Sequence, residues 1–595
     1  MKQVTRWLER YLAMEGITDE EHARVVRAGF VIAVVAMLLR VIFWVYTHRY
    51  WEDALITCLH SENLASGLGM THVRSGEPPL HGFTSPLSVL VPLIGDLMHV
   101  GFGVEFLKLV SMFAGALTVL YVLAIGLHRS VRLPGPLILL VMGYVGFEHH
   151  QILWGMSGME TQLSTLILLM SVYYTIAWKP VYLGVSLGLC MLVRPDYAFW
   201  CLIVGVYILF KDYKQFPKIV AIALALYLPW IAFTLVHYGS PVPNTIIAKG
   251  LGYPKWWDKV DAINFFTLKR HTWIMLAEQL HVMLGPIFAG HGASIHIFFS
   301  NGPESLVGNL MFAFAVIGTL AILFRRQWTL WPLAGCVVVY SLYYVYLVPV
   351  IFGWYKVPYL ATLLLLSVRG MQSVARLIPG GRVRILLARE DARPPTRLRT
   401  GVLAAFTAAY LGLFISVLPV CFLTERQIQQ YVENDVRKAA GLYLAEHMKP
   451  DEAVGCEPLG YMGYYSRGNV YDWPGLASRT VVAWSKQQRR EDRCLENMLK
   501  DLQPEYLFLR DLEVLYWFKD TQWLKDQYHV VAVFAIDPAA AKRIRWLDRN
   551  IDTAFRIYKR NRPEDVRPYD DSLWPRVPEG PPKAVTPPLT WEPKT

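Results

Sequence analysis

Apolar residues arrive along this chain in blocks of roughly twenty, the length a helix needs to cross a bilayer, separated by short polar segments. Eleven spans are predicted, at about 28–47, 105–127, 133–147, 160–177, 179–193, 196–210, 217–237, 305–324, 328–350, 352–368 and 401–423. Ser85 to Gly101 is apolar enough to be a further span but spoils the charge count, so it reads as embedded without full crossing or as half of a split helix. Beyond residue 423 the apolar runs shorten and alternate with polar positions (Val470–Trp473, Tyr506–Leu509, Val530–Ile536), the pattern of a small α/β domain. The expected architecture is a polytopic α-helical membrane protein of eleven to thirteen transmembrane helices with a C-terminal α/β extracytoplasmic domain. Its parts are an interfacial N-terminus (1–26), a membrane module (27–423) with outer loops 48–84 and 238–303, the outer domain (424–561) and a Pro-rich tail (562–595).

Charge sets the orientation. His128–Arg132, Lys179, Lys211–Lys218, Arg325–Arg326 and the arginine run from Arg369 to Arg399 all fall on one side if the N-terminus is cytoplasmic, and eleven crossings then put the C-terminus outside. The net charge of +11 resides in these interhelical segments, so an anionic-lipid-facing role replaces a nucleic-acid one. The first apolar block is too long for a cleavable signal and reads as a retained anchor in a bacterial plasma membrane. Of the seven cysteines, Cys190, Cys201, Cys336 and Cys421 lie in spans; Cys456 and Cys494 lie in the outer domain, where a disulfide between them would persist.

Candidate chemistry concentrates on the outer side. Glu52 and Asp53 directly follow the first span, where reduced solvation raises a carboxylate pKa and a positioned Asp can take a proton from a hydroxyl. The plainer reading is that they cap the next helix. Arg194 and Asp196 flank Pro195 at a helix end, either as a closing ion pair or as functional ionisable groups. Lys249, Lys356, Arg194 and the pair His149–His150 are the outer-side cations available to a phosphate leaving group. Glu160 is a helix-start acid, and Asn244–Thr245 is a turn or a substrate amide contact. His271, His281, His291 and His296 lack zinc-ligand spacing and read as surface or packing residues, with a phosphate contact the alternative for one of them, so no metal site is expected there, and no motif marks a cofactor. The aromatic load divides between interfacial belts (Trp178, Trp230, Trp328, Trp331) and clusters suited to sugar stacking (Trp256–Trp257, Tyr464–Tyr465, Tyr471, Trp473).

Several of these pieces stand in a shared order. Glu52-Asp53 is followed by His81-Gly82-Phe83-Thr84-Ser85-Pro86, Ser157-Gly158-Met159-Glu160-Thr161, Arg194-Pro195-Asp196, Pro243-Asn244-Thr245 with Lys249, Trp354-Tyr355, and Glu457 to Ser466 before Tyr471-Asp472. The order resembles membrane glycosyltransferases of the GT-C class, and within it the mycobacterial-type arabinofuranosyltransferase B group, which uses a polyprenyl-phosphate arabinose donor. The resemblance spans about Trp51 to Leu509. It implies a GT-C-like bundle with its site at the outer surface, Asp53 as the base for an inverting transfer, and Glu52 in place of the first Asp that many relatives carry. It also implies donor contacts from His81, Thr84, Ser85, His149, His150, Glu160, Arg194, Asp196, Asn244, Thr245, Lys249, Trp354, Tyr355 and Lys356, with Glu457, Tyr464, Tyr465 and Asp472 on the acceptor side. The implied partners are the lipid-linked donor, membrane lipids and a glycan or secreted-protein acceptor such as a pilin. A flippase of lipid-linked sugars is the competing reading. It fits less well, because no internal repeat is evident and the acids lie at outer helix ends rather than mid-span.

Overall fold

The computed structural model describes residues 20–72, 78–253, 303–346, 352–375, 397–544 and 554–561, with 573 and 575. The expected interfacial helix over 1–16, Trp256–Trp257, His271, His281, His291 and His296, most of the arginine run beyond 375 and nearly all of the tail lie outside the described residues.

Each of the eleven apolar blocks is a helix, beginning with Glu20–Thr47, Gly103–Leu127, Gly135–Phe147, Thr161–Ala177 and Pro180–Val193 and ending with Gly353–Ala375 and Arg397–Ile428. Where the sequence brings helices close, it does so with glycine. A Cβ at Gly370 would collide with the Phe314 carbonyl and one at Gly318 with the Leu366 carbonyl, so the Pro303–Phe324 and Gly353–Ala375 helices meet backbone to backbone. Arg40 is fully buried in this bundle and is matched by acceptors. It donates to the Val145 and Gly146 carbonyls (each 3.0 Å), at the end of the Gly135–Phe147 helix, and to Gln162 Oε1 (2.9 Å).

Ser85–Gly101 resolves into a helix of 12 residues, Leu87–Met98, with Pro92 inside it. At 1.5 Å per residue it covers about 18 Å against the ~30 Å hydrocarbon core, a half-length helix like Gly135–Phe147 (13 residues) and Pro180–Val193 (14 residues), and it packs on the Glu52–Ala65 and Gly103–Leu127 helices. Arg369 is a correction to the loop reading: it is buried on the Gly353–Ala375 helix and donates to the Val131 carbonyl (3.2 Å).

The C-terminal domain, called the outer domain after the side on which the charge pattern is expected to place it, is a five-stranded sheet in the order β2-β1-β3-β5-β4, where β1 is Ala453–Cys456, β2 Asn469–Asp472, β3 Tyr506–Arg510, β4 Tyr528–Ala535 and β5 Ala554–Arg560. β2, β1 and β3 run parallel, with helices in the crossovers, and β5 and β4 close the sheet antiparallel. The Arg397–Ile428 helix continues through a π-helical stretch, Gln429–Lys438, into Ala439–His447, so helix runs unbroken from the bundle into the sheet domain before a short turn leads to β1. The expected Cys456–Cys494 disulfide is absent. Both thiols are free: Cys456 lies in the core on β1, whereas Cys494 caps the Leu495–Leu502 helix, its sulfur accepting from the Asn497 amide.

Candidate active site

The site begins at the first turn of the Glu52–Ala65 helix. Its cap position is Trp51, in extended backbone (φ −92°, ψ 148°), which offers no side-chain acceptor to the helix amides. Trp51 instead anchors the turn to the bundle. Its amide donates to the Ser157 carbonyl (2.9 Å), and its ring stands edge-on to Trp154 at 4.4 Å with Trp354 at 6.0 Å.

The two adjacent carboxylates have different fates. Glu52 faces the outer domain, where one oxygen accepts from the Gly460 amide (3.2 Å) and the other pairs with Arg437 (3.2 Å). Asp53 points about 100° further round the helix. It forms no hydrogen bond or ion pair among the described residues, yet its charge interacts with Lys249 and Glu457. Burial raises both acids. Glu52 is pushed up to about 7 against the opposing Arg437 charge. Asp53 is raised chiefly by burial, with Lys249 opposing and Glu457 adding.

Lys249, in the Asn244–Gly252 helix, donates to Tyr355 Oη (3.3 Å) and lies 5.2 Å from the Phe352 ring centroid. Tyr355 is the hub of the cluster, because Arg194 sits over the same ring at 4.6 Å. Pro195 breaks the chain there, so Arg194 turns back to pair with Asp196 (2.9 Å) and to face Glu160 (3.8 Å). Tyr344 Oη donates to the second Asp196 oxygen (3.0 Å). From the outer domain, Glu457 is held by Arg510 (2.7 Å), which also grips Glu513 (2.6 Å). The fold therefore brings Asp53, Glu160, Arg194, Asp196, Lys249, Trp354, Tyr355 and Glu457 into one connected region. Lys356 follows on the helix of Trp354 and Tyr355 and forms no ion pair among the described residues.

Other expected site residues lie elsewhere. His81, Thr84, Ser85, Asn244 and Thr245 make a seam of their own. The Asn244 amide group donates to the Gly475 and Leu476 carbonyls (2.7 and 3.0 Å), its backbone N–H donates to the His81 carbonyl (2.9 Å), the Thr84 and Thr245 hydroxyls meet at 3.2 Å, and Ser85 caps the next helix through the Ser88 amide (3.3 Å). His150 pairs with Glu148 (2.9 Å), and His149 faces Glu425 (3.7 Å). Tyr464 donates to Glu62 (2.8 Å), with Tyr465 packed edge-on to it. Asp472 accepts the Leu476 and Ala477 amides in a turn. Arg437, Arg510, Glu513 and Tyr344 escaped the sequence reading. Arg437 reaches Glu52, Arg510 reaches Glu457 and Tyr344 reaches Asp196 across long stretches of chain, and Glu513 enters only through its neighbour Arg510, so no local motif marks them.

Residues 424–558 match the profile of a domain of unknown function, DUF8728. The sequence matches no curated protein. Among solved structures, ArnT from Cupriavidus metallidurans in the apo state is similar over 90% of this chain and 98% of that one, with 11% identity and a TM-score of 0.50. The archaeal oligosaccharyltransferase AglB from Archaeoglobus fulgidus, solved with an inhibitory peptide and a dolichol-phosphate, aligns over 86% and 73% with 13% identity and a TM-score of 0.48. Arabinofuranosyltransferase AftD from Mycobacteria aligns over 90% and 41% with 13% identity and a TM-score of 0.42. At 11% identity the ArnT likeness is one of fold. The chain is a multi-pass membrane protein of GT-C fold carrying a C-terminal sheet domain.

Proposed function

We propose that the protein is a glycosyltransferase that moves a sugar, arabinofuranose by the motif resemblance, from a polyprenyl-phosphate donor to an extracytoplasmic acceptor. The observation that carries this reading is an opposed pair of charges. Asp53 and Lys249 are partly buried in the same cluster and interact, yet no ion pair joins them. A base and a phosphate-binding cation held apart leave room for a reacting centre between them.

In the proposed step the acceptor hydroxyl gives its proton to Asp53 as its oxygen attacks the anomeric carbon. The carbon–oxygen bond to phosphate breaks on the opposite face, inverting the configuration, and the bonding pair leaves on the polyprenyl phosphate. Lys249 supplies charge to that leaving group, and Tyr355 orients it through the 3.3 Å hydrogen bond. Arg194, locked by Asp196 and Glu160, stiffens Tyr355 from below. In this reading the N-terminus is cytoplasmic and the sheet domain lies outside a bacterial plasma membrane. The acceptor is a glycan or a secreted protein such as a pilin.

The test is transfer from a synthetic polyprenyl-phosphate arabinofuranose to candidate acceptors by purified protein in lipid nanodiscs. Asp53→Asn should lower the rate about 10²- to 10⁴-fold, the usual span for a general base, while leaving donor binding intact. Full transfer by a folded Asp53→Asn protein refutes the assignment. Movement of labelled lipid between leaflets without transfer replaces the enzyme with a flippase.

A further inference from the structure

The helix that leaves the bundle and enters the outer domain carries Glu425, Gln429, Glu433 and Arg437, spaced by four residues, and all four grip residues 49–52. Glu425 pairs with Arg49 (3.0 Å), and Gln429 accepts from the Tyr50 amide (2.9 Å) and from Arg49 (3.3 Å). Glu433 pairs with Arg49 (2.9 Å) and with Arg437 (3.1 Å), and Arg437 pairs with Glu52 (3.2 Å). Arg49, Glu425, Gln429 and Glu433 are each at most 3% exposed, so these rungs are dry, while the Arg437–Glu52 rung at the end is partly exposed. Desolvating so many charges is expensive, and an apolar seam of the same shape would hold two elements together at least as well. What charged, directional contacts add is a single register between the parts they join.

The register fixed here belongs to the turn that bears Asp53. Gly460 closes it from above: a Cβ at that position would run into the Glu52 backbone and side chain, so the outer-domain helix Leu459–Ser466 sits directly on the turn. The π-helical stretch lies at the same height, a feature that recurs at functional sites. We infer that Arg437, with Gly460 beside it, is a positioning residue through which the outer domain sets the height and aim of Asp53. This inference rests on the reading of Asp53 as the base.

The experiment compares wild type, Arg437→Met, Arg437→Lys, Gly460→Ala and Glu52→Gln, with Arg437→Met repeated in the Glu52→Gln background. A base displaced by an ångström costs on the order of 100-fold in rate. Arg437→Met should therefore lower kcat about that much while donor KM stays within about threefold. Arg437→Lys should recover most of the loss. In the Glu52→Gln background Arg437→Met should cost little further, because Arg437 acts through Glu52. Wild-type kcat in Arg437→Met, a loss confined to KM, or fully multiplicative losses would overturn the inference.

Hydrogen exchange gives a readout independent of turnover. Peptides covering 50–58 should exchange faster in Arg437→Met and Gly460→Ala, with β1 and β3 unchanged. Unchanged exchange at 50–58, or acceleration spread over the whole sheet, refutes a positioning role. A wild-type protein that transfers no sugar but shows the local exchange change sinks the enzymatic reading and leaves the register device standing.

Discussion

Acidification should loosen the segment that follows the first apolar helix through three buried histidines. His60 is fully enclosed, with Nδ1 facing the Ile56 carbonyl at 2.9 Å; His72 lies 5.6 Å from it, ring to ring, and His81 stacks on Tyr238 at 4.9 Å. Nε2 of His60 and His72 and both nitrogens of His81 have no hydrogen-bond partner among the described residues, so a proton added there would bring an uncompensated charge. Burial pushes His60 down to about 4 and His81 down to about 3, and it holds His72 well below its ordinary range with help from the charges of His60 and Arg467. Because the folded values lie below the unfolded ~6.5, the unfolded chain binds more protons between about pH 4 and 6.5, and stability falls as pH drops through that window. Moving from pH 7 to pH 5 costs about 2 kcal/mol for each such histidine, so His60 and His81 together account for roughly 4 kcal/mol before their mutual repulsion is added. Thermal unfolding in detergent at pH 7, 6 and 5, at one scan rate, measures the slope. His81→Phe keeps the stack on Tyr238 while removing one of the three titrating sites, and should flatten that slope by about a third. A wild-type midpoint that does not move between pH 7 and 5, or a His81→Phe slope equal to wild type, refutes the reasoning.

Two further outcomes follow from the same geometry. Lys249 opposes the burial that raises Asp53, so Lys249→Met should lift the acid limb of the transfer rate to higher pH and lower the plateau, read from kcat across pH 5–9; an unmoved limb separates Lys249 from the base. Arg40→Leu should cost about 1–3 kcal/mol, since it leaves the Val145 and Gly146 carbonyls and Gln162 without their donor inside the bundle. The thermal midpoint in detergent measures it, and a midpoint equal to wild type removes Arg40 from the stabilising framework.

What the sequence made legible follows from the range of the forces involved. Helix formation over an apolar block is decided by a local sum of residues, so the eleven helices could be read from composition alone, whereas the charge balance that sets Ser85–Gly101 apart is an argument about orientation. The outer sheet was visible because alternating apolar runs declare strands one at a time, although their mixed order was not. The division of labour between Glu52 and Asp53 was invisible. It depends on Arg437 and Gly460, about four hundred residues away, and on which side of one helical turn each partner arrives. The same holds for Asn244: its sequence setting suits a turn or a substrate amide contact, and only the approach of Gly475 and Leu476 turns its amide into a seam between the loop and the outer domain. Asp53 therefore gains its standing by subtraction. Every neighbouring acid in the cluster has a protein partner: Glu52 has Arg437, Glu160 and Asp196 have Arg194, and Glu457 has Arg510. A carboxylate with no ion pair among the described residues in so thoroughly paired a neighbourhood, beside a lysine that ion-pairs with no acid among those residues, is where substrate would complete the charge balance.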